Sequence, residues 1–113
     1  MFRGEIWELS LSKSKRSRAA QTRRVVLLSS DSLGILPLRV VIPLVPWSDT
    51  YLTVPWMVRV PPTLNSGLDS VMAADALQVR SVQTQHLLHR VGELPRTLVD
   101  QISRAVNEIL EGG

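Results

Sequence analysis

The sequence ends in LPRTLVDQISRAVNEIL, residues Leu94–Leu110, and this segment has the spacing of an amphipathic helix. Apolar residues recur in it every three or four positions, at Leu94, Leu98, Ile102, Val106 and Ile109. Pro95 near its start and the glycines after its end are typical helix boundaries. We therefore predict a C-terminal helix over residues 94–111 that packs one face on a core.

The chain before this helix consists of short apolar segments that are typical of strands. We predict about five of them, within residues 3–11, 25–28, 36–45, 56–60 and 77–82. Residues 70–76 are ambiguous between helix and strand, and the stretch with His86 and His89 is predicted as a linker. Pro43 cannot donate to a ladder, so we expect it at a strand end, an edge or a bulge. These elements predict a mainly β, α+β fold, a small and highly curved antiparallel sheet or partial barrel carrying the C-terminal helix.

Length and composition limit the architecture and the location. The 113 residues fit a single domain, 1–113, without internal repeats. The chain has no cysteine, which excludes disulfides, thiolate zinc sites and cysteine nucleophiles. The longest apolar run, Val40–Trp47, is too short to cross a bilayer, and the start of the chain shows no signal peptide. We therefore expect a soluble, cytoplasmic protein without a membrane partner.

The segment SKSKRSRAAQTRR, residues 12–24, is predicted as a basic loop between the first two strands. It contains no acid and six positive charges, on Lys13, Lys15, Arg16, Arg18, Arg23 and Arg24. Like charges at this density repel one another unless an anion lies among them. The residues alone therefore favour a nucleic-acid-binding domain, and an ordinary solvated loop is the alternative.

The residue types give little support to other chemistry. His86 and His89 have a spacing compatible with metal binding, but no third ligand is in reach. The sequence also has no glycine-flanked nucleophilic serine and no glycine-rich phosphate loop. We therefore predict neither a metal site nor a cofactor.

Five short motifs follow one another along the chain, RGEIW at 3–7, TR at 22–23, VVIPL at 40–44, LQVRSV at 77–82 and VGEL at 91–94. In this order and spacing the chain resembles the MazF and PemK family of toxins over nearly its whole length. The resemblance implies an SH3-like small barrel of the MazF, PemK and CcdB type that forms a homodimer. It further implies a sequence-specific, metal-independent endoribonuclease that cleaves single-stranded messenger RNA, and a cognate antitoxin that inhibits it.

The resemblance also implies where the catalytic centre lies. The family's arginine after the first loop matches Arg23, which would stabilise the phosphorane formed when the ribose 2'-hydroxyl attacks the phosphate. The family's catalytic threonine is replaced by Val45, and Arg24 stands where the family usually has proline. Ser48 and Arg24 are the candidates to replace the missing hydroxyl, and a plain loop hydroxyl is the alternative for Ser48. Gln78 matches a glutamine common in the family near the RNA groove, with a strand-surface amide as its alternative.

The predicted site therefore has a catalytic and an RNA-binding part. The catalytic residues are Arg23 and Ser48, and the RNA-binding residues are Lys13, Lys15, Arg16, Arg18, Arg24 and Gln78. Because of Val45, two other functions stay open. One is a weakened or inactive family member that serves as an RNA- or protein-binding module, and the other is a gyrase-type protein poison on the same fold.

Overall fold

The computed structural model describes residues 1–11 and 21–111. Within these residues the chain forms seven strands and one α-helix, joined by loops and short 3₁₀ turns. The strands are β1 (Glu5–Ser10), β2 (Thr22–Leu27), β3 (Leu38–Pro46), β4 (Met57–Val60), β5 (Met72–Asp75), β6 (Arg80–Gln83) and β7 (Leu87–Glu93). The helix, α1, spans Arg96–Glu111. The predicted class, a mainly β chain with a C-terminal helix, is confirmed.

All strand pairs are antiparallel, and the sheet turns around β3. β3 pairs with β2, which leads on to β1 and then β7. The first part of β3 also pairs with β6, and its last residues pair with β5, which is joined to β4. This change of partner along one strand divides the sheet and lets it curve into a small barrel-like fold.

Pro43 lies inside β3 and is buried, so the strand runs through it and does not end there. Its position coincides with the change of partners. The β6 ladder ends at Val41, the β2 ladder ends at the pair of Pro43 with Val25, and the β5 ladder begins at Leu44. A residue without an N–H is tolerated here because the missing donor falls at a junction between ladders.

Successive residues of β2 and β3 alternate between two apolar cores. Val26 and Ile42 belong to the core that contains the buried face of α1, formed by Val99, Ile102, Ala105 and Val106. The neighbouring residues Val25 and Val41 belong to a smaller second core on the other face, completed by Leu9, Leu27, Val82 and Leu87. The helix therefore covers one face of the sheet, and the second core supports the opposite face, where the candidate site lies.

Several element boundaries differ from the sequence-based expectation. The helix begins at Arg96 and not at Leu94, and the predicted strand 77–82 is a strand only from Arg80, because Ala76–Gln78 forms a 3₁₀ turn. β2 begins at Thr22, so Arg23 and Arg24 belong to a strand and not to the basic loop. Residues 12–20, the rest of that loop, lie outside the described residues. Residues 87–93 form β7 and not a linker, and residues 72–75 of the ambiguous stretch form β5.

Within the described ranges no helix has the length and apolar character that crossing a membrane requires.

Candidate active site

A narrow cleft lies over the second core, between β1, β2, β3 and β6. We call it the arginine cleft, and its lining residues are Leu9, Leu11, Arg23, Val25, Val41, Pro43, Gln78 and Arg80. The cavity inside it measures about 20 Å³, which is room for about one water molecule. A larger ligand would therefore lie across the mouth of the cleft, against the polar side chains of Arg23, Gln78 and Arg80.

The register of β1 and β2 separates the two adjacent arginines of β2. Arg23 pairs with Leu9 and lines the arginine cleft, whereas Arg24 pairs with Glu8 on the opposite face of the strand. The Arg24 Nε donates to Glu8 Oε1 at 3.2 Å. The structure thus brings Arg23 to the cleft but keeps Arg24 in an ion pair outside it.

Gln78 and Arg80 enter the cleft from the connection between β5 and β6. Gln78 ends a 3₁₀ turn, Ala76–Gln78, and Arg80 is the first residue of β6, opposite Val41. The turn is anchored by Asp75, a buried residue whose Oδ1 accepts from the Leu77 backbone N–H at 3.2 Å. Asp75 Oδ2 accepts from Gln78 Nε2 at 2.9 Å. Neither Asp75 nor Arg80 was among the site residues predicted from the sequence, although an aspartate three residues before a glutamine is the spacing of a side-chain-capped turn.

Val45 lies next to the cleft and not in it. It follows Pro43 by two residues of β3, so the two side chains are on the same face of the strand. Val45 pairs with Ala73 of β5, which in turn pairs with Arg59 of β4. Because paired residues of antiparallel strands share a face, this row brings Arg59 to the face that carries Val45. Arg59 was not among the site residues predicted from the sequence.

The cleft face carries positive charge without neutralising partners. In the described part of the chain, no acidic group lies within 4.0 Å of the guanidinium of Arg23, Arg59 or Arg80, whereas Arg3, Arg24 and Arg90 all have one. A guanidinium presents a planar fork of donors that matches two oxygens of a phosphate group. The arrangement is therefore suited to binding a phosphodiester across the mouth of the cleft.

Ser48, the second predicted catalytic residue, is not among the described residues that line this cleft. Ser48 precedes a 3₁₀ turn, Asp49–Thr53, where its Oγ accepts from the Thr50 backbone N–H at 3.4 Å and lies 2.9 Å from Thr50 Oγ1. Its hydroxyl thus caps a turn. Lys13, Lys15, Arg16 and Arg18 lie outside the described residues, so their role stays a prediction.

The two histidines lie away from the cleft. His86 is exposed in the turn before β7, and His89 is exposed on β7 opposite Glu8. Across residues 1–11 and 21–111, no three residues of the His, Cys, Asp and Glu types are grouped as a metal ion would require.

The fold and the cleft define a class of protein, a small antiparallel barrel with one C-terminal helix and a cationic face suited to a phosphodiester. Comparison with known proteins identifies the family. The model of the "PemK-like, MazF-like toxin of type II toxin-antitoxin system" matches residues 2–110. The chain therefore belongs to the PemK and MazF toxin family, as its motifs predicted.

Individual relatives agree with this assignment. The chain is 32% identical over 110 residues to "Endoribonuclease MazF9" of Mycobacterium tuberculosis (strain ATCC 25618 / H37Rv), a match covering 94% of this chain and 92% of that protein. A Deinococcus radiodurans MazE-MazF crystal structure (Form-II) matches with a TM-score of 0.79 and 17% identity, over 100% of this chain and 97% of that one. A mycobacterial endoribonuclease solved with its cognate antitoxin matches with a TM-score of 0.75 and 16% identity, over 98% and 95% of the two chains. At such identities these two structures show the shared fold.

Proposed function

We propose that this protein is an endoribonuclease toxin that acts in the cytoplasm on single-stranded messenger RNA at short sequence motifs and is inhibited by a cognate antitoxin. Membership of the toxin family and the sequence similarity to an endoribonuclease support the class of activity. The observation that carries the proposal is the position of Arg23, which lines the arginine cleft beside Arg80 and Gln78 and has no acidic partner among the described residues.

Arg23 is the proposed catalytic residue because of what RNA cleavage asks of the protein. The RNA supplies the nucleophile, its own 2'-hydroxyl, which attacks the adjacent phosphorus as the bond to the 5' oxygen breaks. The products are a 2',3'-cyclic phosphate and a free 5'-hydroxyl. The protein has to orient the 2'-hydroxyl in line with the bond that breaks, stabilise the extra negative charge on the phosphorane and provide for protonation of the leaving 5' oxygen. A guanidinium without a neutralising partner suits the second task.

Two adjacent arginines provide a matched test of this role. Purified wild-type, Arg23→Ala and Arg24→Ala proteins are incubated with a long, weakly structured RNA in the presence of EDTA. We expect Arg23→Ala to lower the cleavage rate about 100- to 1000-fold, the loss typical of one preorganised transition-state donor. Arg24→Ala removes the same charge from the opposite face of β2, so it should retain most of the activity.

The controls separate the outcomes. The fragments should carry cyclic phosphate ends, and an RNA with 2'-deoxy sugars should stay intact. If wild-type protein in excess leaves every RNA uncut, the protein is not an endoribonuclease. If folded Arg24→Ala is as impaired as Arg23→Ala, the special role of Arg23 is refuted.

A second candidate function follows from Val45, which stands where the family has its catalytic threonine. Neither Val45 nor its strand partner Ala73 offers a hydroxyl, and the Ser48 hydroxyl caps a turn elsewhere. A chain that lacks this donor and retains the cationic cleft is suited to binding RNA without cleaving it. Retention of RNA by the wild-type protein without any cuts, lost in Arg23→Ala, would favour this binding module.

The antitoxin is proposed to inhibit by covering the cationic face. Solved relatives include complexes with a cognate antitoxin or with MazE. An acidic, extended segment is complementary to a surface on which Arg23, Arg59 and Arg80 have no acidic partners in the described part of the chain. Its affinity should fall as the salt concentration rises, because exposed charges are screened. An affinity that ignores salt would contradict this electrostatic model.

The homodimer is a further part of the proposal. An apolar groove of about 370 Å³ runs between α1 and the segment before β4, with Trp56, Leu77, Ala105 and Ile109 among its lining residues. Covering it with a second copy would remove the exposed half of the Leu77 side chain from water. Light scattering at micromolar concentration should give twice the mass of one chain, and a monomer mass would refute the dimer.

A further inference from the structure

Among the described residues that line the arginine cleft, Gln78 is the one neutral polar side chain, and its amide is held from one side. Its Nε2 donates to Asp75 Oδ2 at 2.9 Å. The other oxygen of that carboxylate, Oδ1, accepts from the Leu77 backbone N–H at 3.2 Å. Asp75 is itself buried, with only 8% of the residue exposed. A fixed backbone group therefore positions the carboxylate, and the carboxylate positions the glutamine.

The chemistry of this contact determines which end of the amide faces Asp75. A carboxylate group only accepts hydrogen bonds, so the NH₂ end of Gln78 must face it and the carbonyl oxygen, Oε1, must face away. No described side chain donates to Oε1. Gln78 therefore presents an acceptor beside Arg23 and Arg80, the other polar groups that the described residues bring to the cleft, and both of these are donors only.

An acceptor and two cationic donors select different parts of an RNA. The guanidinium groups attract phosphate oxygens, whereas a carbonyl oxygen repels them and pairs with N–H or O–H groups. The RNA groups of this kind are the amino and imino groups of the bases and the ribose 2'-hydroxyl.

We propose that Asp75 is a positioning residue that holds the Gln78 carbonyl oxygen towards the substrate, so that Gln78 recognises a hydrogen-bond donor of the RNA next to the phosphate held by Arg23. This inference rests on the proposed endoribonuclease activity. It assigns Gln78 to substrate selection, and it assigns the grip on phosphate to the arginines.

The Asp75→Asn variant reverses the polarity that Gln78 presents. The new asparagine keeps its oxygen on the Leu77 N–H, so its NH₂ group takes the position of Oδ2 and becomes a donor. Gln78 must then turn its carbonyl oxygen towards Asn and direct its own NH₂ group to the substrate. The double variant Asp75→Asn with Gln78→Glu restores the hydrogen-bond polarity, because a glutamate accepts from the asparagine and still presents an oxygen. Its negative charge should lower the cleavage rate of all sequences alike, so the variant is compared by its base preference and not by its rate. Gln78→Leu removes the contact altogether.

Cleavage profiles on a randomised RNA library, read by sequencing the fragment ends, test these changes. The wild type should prefer a donor-bearing base edge at one nucleotide position by about 2- to 10-fold, the range of one net hydrogen bond. Asp75→Asn should shift the preference at that position only, Gln78→Leu should abolish it, and the double variant should restore it. Preferences at the other positions should stay unchanged. A folding role for Asp75 alone would lower cleavage of all sequences equally and would not be rescued by Gln78→Glu.

A second arm distinguishes the two sources of the donor. If the donor is a ribose 2'-hydroxyl and not a base, the variants should have the same base preferences as the wild type. A single 2'-deoxy sugar away from the scissile bond then slows the wild type and leaves Gln78→Leu unaffected. Active variants with unchanged profiles and an unchanged response to 2'-deoxy sugars overturn the inference and leave the proposed function intact. A wild type that cleaves no RNA overturns both.

Discussion

Replacing Val45 by threonine supplies a hydroxyl at the position where the resemblance to the toxin family implies a catalytic threonine, on the face of β3 that carries Pro43 of the arginine cleft. Threonine has the shape of valine with one methyl group exchanged for a hydroxyl. Val45 is only half-buried, so the hydroxyl is able to reach solvent or substrate. The cost in folding free energy should therefore stay below about 1 kcal/mol, as for substitutions away from a closed core.

The gain in rate follows from one added hydrogen bond. A hydroxyl that donates to a charged phosphate oxygen contributes about 1.5–3 kcal/mol. If the bond forms only as charge develops in the transition state, this corresponds to a cleavage rate about 10- to 150-fold higher. Two residues of strand, about 7 Å, separate Val45 from Pro43 in the cleft, so the hydroxyl approaches the phosphate from the side. We therefore expect the lower end of this range, about 10-fold.

Single-turnover cleavage of one RNA at saturating protein measures this change without a contribution from product release. Val40→Thr is the matched control, because it makes the same exchange on the same strand with its side chain on the opposite face. It should leave the rate unchanged. A folded Val45→Thr protein that is no faster than wild type would refute the reasoning, since the hydroxyl would then have no role at this position in this chain.

Two further predictions concern stability. Gly92→Ala would bring its new Cβ to 2.2 Å from the Ser66 carbonyl oxygen, so the backbone of β7 or of the loop at Ser66 must move. We expect a loss of about 1–3 kcal/mol in urea denaturation, and an unchanged midpoint would show that the loop yields freely. The second concerns Glu5, where burial alone would raise the pKa. Hydrogen bonds from the Phe2 N–H, Trp7 and Arg90 and the N-terminal charge outweigh burial, so the net pKa of Glu5 is lowered. A lowered carboxyl pKa stabilises the fold above the ordinary glutamate range, and this contribution is lost as the pH falls through the lowered value. Glu5→Gln should therefore be less stable than wild type at pH 7 by about 1–3 kcal/mol, with the difference shrinking on acidification. A difference that stays constant with pH would contradict this electrostatic origin.

The sequence predicts the elements whose periodicity reflects burial on one face. α1 is found because its apolar residues recur at helical spacing and form the buried face with Ile102 at its centre. β7 is missed for the opposite reason. It pairs with β1 through two irregularities of register, and its middle residues, Leu88–Arg90, are all exposed, so no alternation appears in the sequence. The β7 segment is a strand because β1 pairs with it, a non-local contact that local patterns do not contain.

The same limit applies to the site. Arg23 and Arg24 are equivalent as neighbours in a basic segment, and only the pairing of β2 with β1 assigns one to the cleft and the other to Glu8. Arg80 and Gln78 are joined to Arg23 only when β6 pairs with β3. A basic stretch in a sequence thus indicates an anionic ligand, but register decides which charges converge on it.

Register also bears on how a chain with valine at position 45 is able to stabilise a transition state. Val45, Ala73 and Arg59 lie side by side on the adjacent strands β3, β5 and β4. The backbone positions of Val45 and Arg59 are therefore two strand spacings, about 10 Å, apart. A phosphate over Val45 would therefore lie between guanidinium groups of β2 and β4, both within reach of a long, flexible side chain. Charge supplied from two sides offsets part of what one hydroxyl contributes, because each guanidinium donates charge-assisted hydrogen bonds to the phosphate oxygens. This is a second reason to expect a gain of about 10-fold from Val45→Thr rather than the 100- to 1000-fold that a lone preorganised donor is worth.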